Sequence, residues 1–194
     1  MEFTLVYQGP LKANGSIKEK QDIRREFHKQ LAELWKQEPL SSRVQDNPIL
    51  LKNVVTYNMP PTHSTSVIQR VDAFQFMPLV SSKLYLVAEL DITFLRPEPP
   101  GRIVTQGGDI DNRLKTLFDA FRIPKESKEI PAGDTPGVNE NPFYCLLEDD
   151  NLITKVSVRT DRLLKPCNDS SFVELLIAVR TKITKMCWDN MDLG

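Results

Sequence analysis

Two aspartates and a lysine stand close together within residues 107–122, where a tight loop leads into a helix: Asp109, Asp111 and Lys115. Asp111 and Lys115 are four residues apart, so on a helix they project from one side, a turn apart. Ile110, Leu114, Leu117, Phe118 and Phe121 recur at the offsets of a single buried helical face. Gly107 and Gly108 lead into this stretch, and Asp111 is placed to cap the helix by accepting a first-turn amide proton. A second acidic group, Glu148, Asp149 and Asp150, ends the apolar run at 143–147. If the fold brings the two groups together, so many carboxylates cannot all stay ionised without compensation. A hard divalent cation supplies it. Mg²⁺ takes oxygen ligands and keeps several waters, and it polarises phosphoryl oxygens and activates water. Lys115 suits negative charge developing on the reacting phosphate or the leaving oxygen. Three aspartates and a lysine therefore describe phosphodiester hydrolysis better than glycosidase or protease chemistry. No Gly-x-Ser-x-Gly, Walker loop or dinucleotide glycine motif competes with them. The plainer alternative is a small α+β protein whose acids are caps and turn residues.

The elements that must position these residues alternate between strand and helix patterns. Residues 2–8 read as a first strand, ended by Gly9-Pro10, with a turn at Asn14-Gly15. Ser16 caps a helix expected to run to about Gln37, with Ile23, Phe27, Leu31 and Leu34 on its apolar face. Lys18, Lys20, Arg24, Arg25, Lys29 and Lys36 crowd the rest of that helix, as a solvated face interleaved with acids or as a phosphate-contacting surface. Residues 71–80 read as a strand interrupted at Pro78, and 84–94 as a clear alternating strand. A Ser81-Ser82 turn would join the two as a hairpin. Residues 151–160 and 171–179 supply two further strands, and the polar tail from Thr181 is expected to fray. Residues 39–66 lack periodicity, apart from a short apolar piece at 49–55. His28 and His63 have no partner at ligand spacing and read as ordinary surface histidines.

The chain has 194 residues, 40% of them hydrophobic and 26% charged, values that suit one globular domain with its own core. A net charge of −1 does not mark a nucleic-acid binder, although a local basic face would suffice for one. Cys145, Cys167 and Cys187 form neither a disulfide framework nor a zinc motif, which points to reduced thiols in a cytoplasmic protein. The N-terminus lacks a signal-peptide pattern, and no apolar run is long enough for a transmembrane helix.

Taken together, Gly108-Asp109-Ile110-Asp111-Asn112 with Lys115, then Phe118-Asp119-Ala120, then Asp149-Asp150 before a strand, resembles the RusA family of Holliday junction resolvases. The resemblance covers residues 84–160 well and the flanking strands by pattern alone. It implies an α+β fold, a single domain over residues 1–194 with a mixed sheet of about four to five strands against two main helices. It implies a Mg²⁺-dependent endonuclease (Mn²⁺ a possible substitute) that nicks four-way DNA junctions in recombination and repair. Asp109, Asp111 and Asp150 match the metal-binding acids, and Lys115 matches the catalytic lysine. Asn112, Asp149 and Asp119 match supporting or DNA-contacting positions. The resemblance further implies a homodimer, a two-fold protein on a two-fold substrate. The chain departs from compact members by insertions near 38–70 and 124–143 and by its near-neutral charge. A phosphate-binding surface would then draw on residues 18–36 and on Lys155, Arg159, Arg162 and Lys165. The alternative within this resemblance is a catalytically silent module that binds DNA or a protein partner.

Overall fold

The computed structural model of the protein describes residues 1–42, 67–97, 110–165, 167 and 169–194. In chain order the main elements are β1 (Glu2–Pro10), α1 (Ile17–Leu34), β2 (Gln69–Val71), β3 (Phe74–Val80), β4 (Leu86–Arg96), α2 (Ile110–Phe121), β5 (Phe143–Leu147), β6 (Ile153–Arg162) and β7 (Phe172–Ile183). The fold is α+β. Four strands form a mixed sheet in the order β1-β7-β4-β6, and three more form a second mixed sheet in the order β2-β3-β5. Sequence pattern anticipates the first sheet and the two long helices, while the second sheet adds to the four to five strands expected.

The core follows from strand alternation. Leu86, Ala88, Leu90, Ile92 and Phe94 on β4, and Val173, Leu175, Ile177 and Val179 on β7, are almost wholly buried. They share one cluster with Ile23, Phe27 and Leu31 of α1 and Leu117 and Phe121 of α2. Residues one step along each strand face the other way, so the helices cover a single side of the four-stranded sheet. α1 also packs against β5, which links it to the second sheet. Its N-terminus is fixed by a reciprocal cap. The Ser16 side chain accepts from Glu19 N, and the Glu19 carboxylate accepts from Ser16 N at 2.8 Å.

Several expectations are corrected. The span 71–80 holds the last residue of β2, a turn with Asp72 at φ 54°, and β3. Pro78 lies within β3, opposite Cys145 of β5. β2 reaches only as far as Phe76, so the edge facing away from β5 has no ladder there to lose. β3 and β4 are not a hairpin. A single 3-10 turn at Ser82–Leu84 and a left-handed Tyr85 carry the chain from one sheet to the other. The tail does not fray: Leu193 is buried, its carbonyl accepts from the Thr181 hydroxyl, and buried Asn190 donates to Leu84 O at 2.8 Å and Lys185 O at 2.7 Å. His28 is not a surface histidine but is buried. Its Nδ1 accepts from Tyr144 N at 2.8 Å and its Nε2 lies 3.0 Å from Asn139 O. The apolar piece at 49–55, His63 and most of the 38–70 insertion lie outside the described residues. The other insertion is ordered against α1, with Arg25 bonded to Asp134, Thr135 O and Glu140.

Candidate active site

α2 carries the first half of the site. Its first residue is Ile110, so Asp111 sits inside the first turn rather than at the cap, and its Oδ1 accepts from Asn112 N at 2.9 Å. Asp109 lies outside the described residues. Asp111 and Lys115 are both exposed, and Asn112 is half-buried between them. The buried side of the same turns is held by a close approach. Gly15 N donates to Thr116 Oγ1 at 3.0 Å, and a Cβ at Gly15 would stand 2.7 Å from Thr116 Cγ2. A side chain at position 15 would push the Asn14-Gly15 turn off α2.

The second acidic group sits where the chain leaves β5 for β6. A single 3-10 turn, Asp150–Leu152, follows β5 and packs against both α2 and β4. The three acids have distinct settings. Glu148 accepts from Gln69 Nε2 at 2.8 Å, Ser81 Oγ at 2.7 Å, Ser82 N at 2.8 Å and Ser82 Oγ at 2.9 Å. Burial alone would raise its pKa, but these donors hold it below the ordinary value. It is a carboxylate locked into the β2–β3 side of the fold. Asp149 caps the 3-10 turn through Asn151 N at 3.0 Å and meets Lys125 Nζ at 3.3 Å. The Asn151 amide and Lys125 hold its pKa below the usual aspartate value. Asp150 is exposed on the turn that touches α2. Of the pair, Asp149 builds the turn and Asp150 is the one presented to solvent.

Asp119 is engaged elsewhere. It meets Lys20 Nζ at 2.8 Å and Arg122 Nη2 at 2.8 Å, and Arg122 in turn meets Glu129 at 2.8 Å. Buried Arg24 donates to the carbonyls of Asp119 at 2.8 Å and Arg122 at 3.4 Å, satisfying the C-terminal end of α2. Desolvation lowers the Arg24 pKa to about 10. Asp119 therefore locks α1 to α2.

Most of the basic residues on and just after α1 are paired within the chain, while Lys18 is exposed. Arg24 is buried, Lys20 and Arg25 bind carboxylates from distant segments, and Lys29 and Lys36 pair with Glu26 and Glu33. Lys125 enters the site with no signal in the sequence, because it lies 24 residues before its partner Asp149. It lines an open cleft of about 490 Å³ with Gln69, Arg70, Glu148, Asp149 and Asn151.

Exposed carboxylates at 111 and 150, on elements in contact, are hard oxygen donors of the kind Mg²⁺ takes. Among the described residues alone, no three His, Cys, Asp or Glu side chains gather closely enough to hold a metal ion, and the third expected ligand is Asp109. The described cysteines are free thiols, with Cys145 buried and its pKa pushed up by desolvation. Compared with known proteins, the chain matches no protein-family model and no curated protein.

Proposed function

We propose that the protein is a Mg²⁺-dependent, structure-selective DNA endonuclease that resolves four-way junctions by paired phosphodiester nicks and acts in the cytoplasm as a homodimer. The observation that carries this reading is the contact between the exposed Asp150 turn and α2, the helix that presents Asp111 and Lys115 on one side. The resemblance of the Asp109–Asp119 and Asp149-Asp150 motifs to RusA-type resolvases supports it.

In this reading Asp109, Asp111 and Asp150 hold the cation. The chemistry supplied by a bound Mg²⁺ is polarisation of a phosphodiester oxygen and activation of water. Lys115, one turn along from Asp111, carries a fixed positive charge beside the reacting phosphate and stabilises charge as it develops there. Asp149 shapes the turn that aims Asp150, with Lys125 and Asn151 N holding its carboxylate. Asn112 and Asp119 act through placement, Asn112 within the first turn of α2 and Asp119 at its far end.

No helix among the described residues is long and apolar enough to cross a membrane, in keeping with a nucleic-acid substrate in solution. The test is cleavage of a labelled synthetic four-way junction with Mg²⁺, beside linear duplex and the variants Asp109→Asn and Asp150→Asn. The expected result is paired nicks in the junction alone, lost in both variants while junction binding persists. Junction binding without nicks in either Mg²⁺ or Mn²⁺ would replace this reading with a silent DNA-binding module. Full activity in either variant would overturn the site assignment.

A further inference from the structure

Among the described residues, the four-stranded sheet ends at β1 on one side and at β6 on the other. On β1, the side-chain amide of Gln30 from α1 stands in for a neighbouring strand. It accepts from Val6 N at 2.9 Å and donates to Val6 O at 2.7 Å. The strand then stops at Gly9-Pro10. Soluble proteins cover or interrupt sheet edges in this way to prevent pairing with other chains. Among the described residues, nothing comparable covers β6. That strand is ten residues long and contains neither proline nor glycine. Thr154, Lys155, Val156 and Ser157 are exposed in succession, with Val156 at 42%. From Lys155 to Arg162 its pairing with β4 is regular, so its other edge presents an evenly spaced row of backbone groups.

We infer that β6 pairs antiparallel with β6 of a second copy, about a two-fold axis at Val158, joining the two four-stranded sheets into one. The side chains select both partner and register. Lys155, Ser157, Arg159 and Asp161 lie on the open face, opposite Glu89, Asp91, Thr93 and Leu95 of β4. Val156, Val158 and Thr160 lie on the core face, beside Leu90, Ile92 and Phe94. With Val158 opposite itself, Lys155 of each copy stands across from Asp161 of the other, and Ser157 across from Arg159. On the core face Val156 meets Thr160, and the apolar layer under β4 continues across the seam. Placing the axis at Ser157 sets Lys155 against Arg159, and placing it at Arg159 sets that residue against itself. Both set like charges directly opposite, which destabilises a pair. Of these three axes only that at Val158 sets opposite charges across the pair, the self-complementarity an isologous contact needs.

The pairing deepens the two-subunit reading above and sets its geometry. Ile153 of the two copies would lie ten residues apart along the paired strands, about 33 Å at the rise of an extended strand. The two Asp150 turns then stand at opposite ends of one continuous sheet, related by the two-fold axis.

The test reads self-association rather than nicking, so its failure leaves the chemistry of the acids standing. Light scattering and sedimentation of the full chain across the micromolar range should show a dimer. Lys155→Glu and Asp161→Lys should each give a monomer, and the double charge swap should restore the dimer. With Cys167 and Cys187 replaced by serine, Val158→Cys should cross-link two copies under mild oxidation and Val156→Cys should not. A monomer throughout that range, or a dimer indifferent to both single swaps, would overturn the pairing.

Discussion

Asp119→Asn separates a structural aspartate from a catalytic one. The substitution keeps size and shape but removes the charge facing Lys20 and Arg122. Arg122 has a side chain only 8% exposed, and removing one partner of a buried ion pair costs about 3–5 kcal/mol when the other charge is left alone. Here the cost is smaller. Arg122 keeps Glu129 at 2.8 Å, and Lys20, with 28% of its side chain exposed, turns to water. About 2 kcal/mol is expected, which for a chain of this size lowers Tm by roughly 4–8 °C. The pH dependence has a definite sign. Burial raises the Asp119 pKa, but Lys20 and Arg122 together hold it below the ordinary 3.8. A depressed carboxylate stabilises the fold above its unfolded pKa, and that contribution is lost as pH falls through the folded value. The wild-type advantage over Asp119→Asn is therefore full above about pH 5 and fades as the pH falls below 4. Urea unfolding of both proteins, followed by circular dichroism from pH 7 down to pH 3, measures it. Equal stability at pH 7, or an advantage undiminished at pH 3, would refute the ion-pair argument. Loss of nicking in a variant of undiminished stability would move Asp119 into the site.

Two smaller perturbations test how the site is supported. Gly15→Ala places a Cβ 2.7 Å from Thr116 Cγ2 and should cost about 1–3 kcal/mol, read as a lower urea midpoint with an unchanged slope. Gln30→Ala uncovers Val6 N and O on the β1 edge, where water can replace the lost bonds. About 1 kcal/mol of stability is expected to go, with faster aggregation by light scattering on prolonged incubation.

Local features were legible before any contact was known. Ser16 and Glu19 announce the start of α1 because both halves of their reciprocal cap lie within one turn. The 110–121 helix follows from its apolar offsets, and with it the shared side of Asp111 and Lys115. Alternation along 86–94 told which residues are buried but not which strand lies beside them. That is why β3 and β4 read as a hairpin when each belongs to a different sheet. The lysines and arginines of α1 look alike in sequence. Their fates differ because Asp119, Asp134 and Glu140, roughly 100 residues away, capture two of the segment's cations, Lys20 and Arg25. His28 looked like a surface histidine because its partners, Tyr144 N and Asn139 O, are backbone groups that leave no residue signature.

By itself the sequence determined the two helices, the strand faces and the inventory of acids, since these depend on neighbours within a few residues. Only the tertiary structure decided which acids remain available. Glu148, Asp149 and Asp150 are adjacent and chemically similar, yet Glu148 is saturated by Gln69, Ser81 and Ser82, and Asp149 by Asn151 and Lys125. Asp150 stays exposed on the turn against α2. A carboxylate's role depends on the donors within about 3 Å of it, and those around Glu148 and Asp149 arrive mostly from distant segments of the chain.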